Sequence, residues 1–575
     1  MNLALIAALS VFAPLAFASV EPWARALLET GMLLAAVLTV TRSRYLYPSR
    51  ASTTIVAGAL AVALTGLLQS ASAHPVNAHA GWLPFTVWRP GTRDGIVLWC
   101  CYAAFAFAVT QAVERKIHLK IAMWSVFLTG LVVAFTGIFQ KTGNEVYIYG
   151  LRKISGTGMP PFGPFINRDN AASYLVMSAL CGLGLFLSGF AAYDKFAGRG
   201  KKLDFFARQA VMALMLGINI YAIIFTGSRG GIHSFAAALF IVAVLAAFKF
   251  LKAGRRTLAL GGAGLLACGY LTLIHFTPDL LARNSEGFTS TVLIRLSMYK
   301  SGFVMFRDFP LWGAGLDSLI HAFPYYQNYA VVPGTVEHVH SDWLELVLTA
   351  GLAGALAFMA GLTAFMFYAV RTVMKSMSPQ KTIAGICLLA AAVAFCLHAC
   401  FDFPLQIPGN ALTFFLILGL LGTKTFEKAR ADFDATRKLK TRSSRYRAAL
   451  VPAAAILGIL ALPPGLANIC RLDAAGLDPA GKAVLLEKSL LWQADPRTAR
   501  SAAINYYNMA VREPEKRRFY LNKAAETYMP YLKLTPLNIP LKKTAAKTAD
   551  FMASDRHDSG SKNKSRQPGR QTTVN

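Results

Sequence analysis

The segment His338-Val339-His340-Ser341-Asp342-Trp343-Leu344-Glu345 places two imidazoles and two carboxylates at the start of a long apolar run. An imidazole titrates near neutrality and can take a proton from an attacking hydroxyl, which makes His340 a candidate general base. Two other readings of the same residues stand beside it. Ser341 or Asp342 could cap a helix beginning at Trp343, with the histidines merely solvated. A metal could be held by His338, His340, Asp342 and Glu345, although a continuous helix would align His338, Asp342 and Glu345 and turn His340 away.

Three arginines belong with this cluster. Arg229 sits in Thr226-Gly227-Ser228-Arg229-Gly230-Gly231 between two apolar runs, Arg295 in Val292-Leu293-Ile294-Arg295-Leu296-Ser297-Met298-Tyr299, and Arg168 in Phe165-Ile166-Asn167-Arg168-Asp169-Asn170. A guanidinium stays charged and presents a planar fork of donors that fits phosphate oxygens, so Arg229 and Arg295 together could grip a diphosphate. The plainer alternatives are an interfacial anchor for Arg229, a surface position on an amphipathic helix for Arg295, and pairing with Asp169 for Arg168.

The elements that must position these groups are membrane helices. With 55% hydrophobic and 15% charged residues over 575 positions, and a mean hydropathy of +0.44, the chain is too apolar for soluble domains and reads as an all-α polytopic membrane bundle. Runs long enough to span lie near 3–19, 23–41, 52–71, 95–113, 119–140, 170–193, 209–227, 230–251, 257–277, 343–370, 382–402, 409–424 and 448–468, giving 12–13 helices. The first is expected to be an uncleaved span, because it lacks the positive flank of a signal peptide. The formal charge of +29 comes from Lys and Arg in short clusters between the runs, as topology determinants do, and a nucleic-acid partner is excluded on that ground. The eight cysteines form no metal-ligand spacing and no disulfide framework.

Basic clusters mark every second loop, from Arg42, Arg44 and Arg50 through to the run between Lys424 and Arg447. With those loops inside, the N-terminus is cytoplasmic, and 72–94, 141–169, 227–230, the large loop 278–342, 403–408 and the C-terminal segment lie on the outer face. The run 382–402 contains His398 and ends in Phe401-Asp402-Phe403-Pro404, which suits an outer end facing a polar cavity. Three regions follow: a bundle over 1–468 that includes the loop 278–342, a small soluble helical appendage over 469–551 on the periplasmic side, and a basic, disordered tail over 552–575. No glycine-rich phosphate loop and no serine-hydrolase elbow occurs in a fitting context.

In chain order, Gly163-Pro164-Phe165-Ile166-Asn167-Arg168-Asp169-Asn170-Ala171, Ser228-Arg229-Gly230-Gly231, Arg295 with Asp308-Phe309-Pro310-Leu311-Trp312-Gly313-Ala314-Gly315, and His338 to Glu345 with Gly351-Leu352-Ala353-Gly354 resemble the O-antigen ligase and polymerase superfamily of bacterial envelope glycosyltransferases. The resemblance covers roughly residues 90–425. It departs from the usual His-Asn-Asp-Tyr-Leu-Gln at His340-Ser341-Asp342-Trp343-Leu344-Glu345, and from Asn-Arg-Asn-His at Asn167-Arg168-Asp169-Asn170.

The resemblance implies transfer of a glycan from an undecaprenyl-diphosphate donor to a hydroxyl acceptor at the periplasmic face of the bacterial inner membrane, with no metal and no cofactor. In that scheme His340 is the general base and Arg229 and Arg295 bind the donor diphosphate. Arg168, His338, Asp342 and Glu345 are supporting candidates. The acceptor is lipid A core or similar in the leading expectation, with polymerases and protein O-oligosaccharyltransferases of the same superfamily as alternatives. A polysaccharide or lipid transporter or flippase, which shares the span count, is the competing class.

Overall fold

The computed structural model describes residues 2–564 apart from 44, 72–81, 144–146, 154–160, 192, 194–198, 258–260, 263, 265–284, 333, 427–440, 443, 475–476 and 535–538. The bundle is built from α1 (Asn2–Leu15), α2 (Pro22–Arg42), α3 (Arg50–Ala71), α4 (Arg89–Ala112), α5 (Lys116–Thr142), α6 (Arg168–Phe190), α7 (Arg199–Thr226) and α8 (Arg229–Phe250). It continues with α9 (Ser285–Asp308), α10 (Asp342–Lys375), α11 (Pro379–His398), α12 (Pro408–Leu421) and α13 (Ser444–Asp473). Among the described residues, 11 helices are long and apolar enough to cross a membrane, all of these except α1 and α9. Helix α1, with 14 residues, is apolar but shorter, and the run near 257–277 lies almost wholly outside the described residues.

Local chemistry sets the helix starts. Proline near the first turn opens α2, α4, α11 and α12, where its missing N–H costs no helical hydrogen bond. Asn167 caps α6, Ser228 caps α8 and Ser341 caps α10, each side-chain oxygen accepting from a backbone N–H of the first turn. All three caps stand next to candidate site residues.

Helix α12 forms the centre and is buried along its whole length, packed by α1, α4, α6 and α11. Toward the edges, α7, α8 and α13 leave Leu214, Tyr221, Ile224, Phe240, Ile456 and Ile459 exposed, an apolar surface that suits lipid. Helices α3 and α10 cross where Gly58 meets Gly361: a Cβ on Gly361 would lie 2.9 Å from the Gly58 Cα, so only small residues allow this approach.

Helix α10 breaks at Gly351, whose φ of 67° and ψ of −178° are non-helical. The segment Pro310–Gly315 crosses at the break, with Leu352 N and Ala353 N donating to Pro310 O and Leu311 O, and Ala314 N and Gly315 N donating to Leu348 O and Thr349 O. A Cβ at residue 351 would lie 2.2 Å from Leu311 O, so glycine is required both by space and by φ. Gln69 of α3 donates to Thr349 O at 2.8 Å and accepts from Leu316 N at 3.2 Å, satisfying backbone that the break exposes. The short stretch of α10 that carries Asp342 and Glu345 is thereby set apart from the long span.

After α13 come α14 (Pro479–Trp492), α15 (Pro496–Arg512), α16 (Arg517–Leu534) and α17 (Ile539–Lys564). Asp478 and Asp495 cap the first two, each ahead of a proline. Each helix packs on the next, and Ala503, Tyr506, Leu521, Ala524 and Tyr528 form a core of their own. Helix α17 runs to Lys564, and residues 565–575 lie outside the described residues. Strand structure is confined to two short antiparallel pairs, Tyr45–Leu46 with Thr441–Arg442 and Tyr147–Ile148 with Arg152–Lys153, among the described residues.

Candidate active site

Helix ends and loops enclose a cavity of about 2110 Å³, and its wall includes Arg168, Arg229, Arg295, His338, His340 and Glu345. Six of the seven residues singled out by chemistry therefore meet in one space. The seventh, Asp342, is fully buried beside it, its Oδ2 accepting from Leu405 N at 2.8 Å. Asp342 thus ties the start of α10 to the segment after α11.

His340 sits in a left-handed backbone conformation, φ 53°, which a non-glycine residue holds only when its surroundings fix it. Tyr299 of α9 donates to His340 O at 3.0 Å, and on the other side Asp342 N donates to Ala399 O and Asp402 O. The imidazole Nδ1 lies 3.2 Å from Asp402 Oδ1. Burial pushes the Asp402 carboxyl up, but contacts with His340 and His398 outweigh that and hold it below the usual carboxylate range. An ionised Asp402 requires the proton on Nδ1, leaving Nε2 as the basic nitrogen at the cavity.

His398, at the end of α11, is buried with its Nε2 3.7 Å from Asp402 Oδ2. A Cβ on Gly230 would lie 3.5 Å from that same Nε2. The turn carrying Arg229 thus packs directly against the histidine–aspartate centre.

His338 makes a second pair, its Nδ1 2.9 Å from Glu345 Oε1, while Val339 N donates to Oε2 at 3.3 Å. Burial alone would lower the His338 imidazole; the Glu345 charge and hydrogen bond more than reverse this and raise it. Its ring stacks on Phe403 at 4.5 Å, and His340 meets the same ring edge-on at 5.1 Å. The capped-helix reading holds as well, since Ser341 accepts from Leu344 N at 3.4 Å, but the histidines are packed and paired instead of merely solvated.

The cations gather at two helix N-termini. Gly227, with φ 71°, lets the chain turn from α7 into α8, and a Cβ there would lie 3.7 Å from Arg168 Nη1 and 3.9 Å from Lys141 Nζ. Gly231 of α8 approaches Ala172 of α6 so closely that a Cβ would lie 2.6 Å from the Ala172 Cβ. Arg168, Arg229 and Lys141 therefore surround the paired N-terminal ends of α6 and α8, where helix dipoles also favour an anion. Arg168 forms no ion pair with Asp169, and its Nε is buried without a hydrogen-bond partner. Arg295 stands one turn before Tyr299 on α9, which brings its guanidinium to the cavity beside the His340 segment.

No group of three or more His, Cys, Asp or Glu residues arranged to hold a metal ion occurs among the described residues. The arrangement offers a base, an orienting carboxylate and a cationic cradle, which together can deprotonate a hydroxyl and stabilise a departing phosphate. Residues 211–359 match the family model described as O-antigen ligase. The chain is similar to that family over this segment, which spans about a quarter of its length. Comparison with curated proteins finds no match. The O-antigen ligase segment holds Arg229, Arg295, His338 and His340, and it carries the coarse activity of a membrane glycosyltransferase of the ligase and polymerase type.

Lys141, Tyr299 and the pairing of Asp402 with His340 escape a reading of the residues in order. Asp402 lies 62 positions from its partner. Lys141 did carry a signal, as a cation at the end of a span that the basic clusters predict to face outward.

Proposed function

We propose that this protein transfers a glycan from an undecaprenyl-diphosphate carrier to a hydroxyl of an envelope acceptor, lipid A core or a similar glycan, at the periplasmic face of the inner membrane. His340 Nε2 takes the proton of the acceptor hydroxyl as its oxygen attacks the anomeric carbon. The bond between that carbon and the phosphate oxygen breaks, and the electron pair leaves with the diphosphate. Arg229 and Arg295, supported by Arg168 and Lys141, offset the charge that develops there. A single displacement inverts the sugar carbon and uses neither metal nor cofactor. The apolar tail of the carrier lies against the spans.

The observation that carries this reading is the meeting of His340 and three arginines on the wall of one cavity, with Asp402 paired to the imidazole behind it. Further support comes from the origin of the wall: Arg168, Arg229, Arg295 and His340 all come from segments that the alternation of basic clusters assigns to the outer face. The test is turnover by the full chain in nanodiscs, supplied with a polyprenyl-diphosphate glycan and candidate acceptors in excess chelator. Glycan transfer that disappears in His340→Ala supports the proposal; undiminished transfer in that variant overturns it.

A further inference from the structure

Helix α9 has 24 residues but, unlike most of its neighbours, is not apolar enough to cross a membrane. Its inner face is firmly packed: Met298, Ser301 and Met305 are buried, and a Cβ on Gly302 would lie 3.3 Å from Leu348 and 3.5 Å from Leu344 in the first stretch of α10. The outer face is apolar and open. Val292, Leu293, Leu296, Phe303 and Val304 are exposed, Phe303 by 60%, and helical geometry places them all within about a third of the circumference. Lys300 and Arg307, also exposed and two turns apart on the same line, stand among these side chains, and neither forms an ion pair with a carboxylate among the described residues. This face continues a lipid-facing one. Just beyond the Gly351 break, Leu352 and Leu356 of α10 are exposed, as are Leu67 and Leu68 at the end of α3, and both helices are long and apolar enough to cross a membrane. The segment leaving α9 crosses there, and on it Trp312 donates to Trp82 O at 2.9 Å, with Trp82 73% exposed beside an exposed Leu83. Exposed tryptophan at the end of a span marks the level where hydrocarbon gives way to water.

We infer that the open face of α9 docks on anionic phospholipid of the leaflet nearest the cavity, with acyl chains against the apolar residues and headgroup phosphates on Lys300 and Arg307. A purely apolar face would suit hydrocarbon, and a purely basic one any polyanion; cations set among apolar side chains fit a ligand that brings phosphate and alkyl chains together. Lysine and arginine stems lie along apolar surface while their charges reach the phosphates. Arg295 stands about a third of a turn round the helix from Arg307 and lines the cavity, so carrier diphosphate and phospholipid meet different sides of α9. The docked lipid fixes the helix that carries Arg295 and, through the Tyr299 hydroxyl, the backbone carbonyl of His340. Holding that helix in place pre-organises both groups. Anionic phospholipid is thereby a positive effector of the transfer proposed above, and this effector role rests on that reading, whereas the docking itself does not.

The experiment places the full chain, one copy per disc, in nanodiscs of phosphatidylcholine alone or mixed equally with phosphatidylglycerol, and follows amide hydrogen exchange over 292–307 by mass spectrometry. Wild-type amides there should exchange about tenfold more slowly when phosphatidylglycerol is present. In the variant Lys300→Gln, Arg307→Gln that difference should vanish; both positions are exposed and glutamine keeps the helix propensity, so the fold is spared. Initial transfer rates of the wild-type chain should rise several-fold with phosphatidylglycerol, while the variant keeps the phosphatidylcholine rate in both lipids. Exchange indifferent to phosphatidylglycerol, slowing that persists in the variant, slowing reproduced by inorganic phosphate in phosphatidylcholine discs, or slowing confined to discs holding two chains, which would give the face to a second copy, each overturns the docking. Exchange that responds while the rate of an active enzyme does not overturns the effector role alone. Failure of the transferase reading has a different signature, exchange that still responds to phosphatidylglycerol while neither lipid yields transfer.

Discussion

Two histidine–carboxylate pairs lie two residues apart in this protein, and they are built differently. His338 takes its partner, Glu345, from the same stretch of chain, stacks on Phe403 and shares the carboxylate with Val339 N. Glu345 also stands in the first turn of α10, where an acid is favoured by the helix dipole. This pair is a clip that shapes the loop. His340 instead takes Asp402 from the segment just after another helix, holds a strained backbone and lines the cavity. Local partners fix shape, whereas distant partners bring together groups the chain could not otherwise juxtapose.

The sharpest way to break this contrast is to remove each imidazole. His340→Ala should lower transfer by about 10²–10⁴-fold with the fold intact, measured as initial rate in nanodiscs, the range expected for loss of a general base. Arg229→Ala and Arg295→Ala should each cost about 10²–10³-fold, read in kcat, since they act on charge that develops during bond cleavage. Asp402→Asn should cost less than His340→Ala, about 10²-fold, and shift the pH–rate profile, because the imidazole loses the acceptor that fixes its tautomer.

The smallest effect belongs to the clip. His338 is raised in the folded state, so its contribution to stability is complete below the ordinary histidine value and is lost as pH rises through the raised one. Thermal unfolding midpoints should therefore fall as pH climbs from slightly acid through neutrality. His338→Gln should flatten that decline while transfer changes only a few-fold. Transfer lost as fully in His338→Gln as in His340→Ala would erase the distinction between the pairs.

Much of the bundle was legible because a span must be long and apolar, and the basic clusters alternate without a break. Arg168, Arg229, Arg295 and His340 were legible because cations and imidazoles on a predicted outer face are hard to explain by topology. What order along the chain conceals is partnership. Asp402 looked like a polar end to an apolar run, and its link to His340 depends on how α10 and α11 pack. Arg25 and Glu29 inside a predicted span offered a missed signal, since ionisable residues at that depth mark cavities or buried pairs. The break at Gly351 was equally hidden, because α10 has uninterrupted hydropathy and the reason for glycine is the crossing of Pro310–Gly315.

The cavity draws walls from both α2 and α15, elements separated by most of the chain, and α13 packs along α2 with Arg447 bonded to Val40 O and Thr41 O. During synthesis the arginines and histidines are made while that side of the chamber is still missing. A nascent polypeptide therefore lacks a complete chamber wall until translation has passed residue 500.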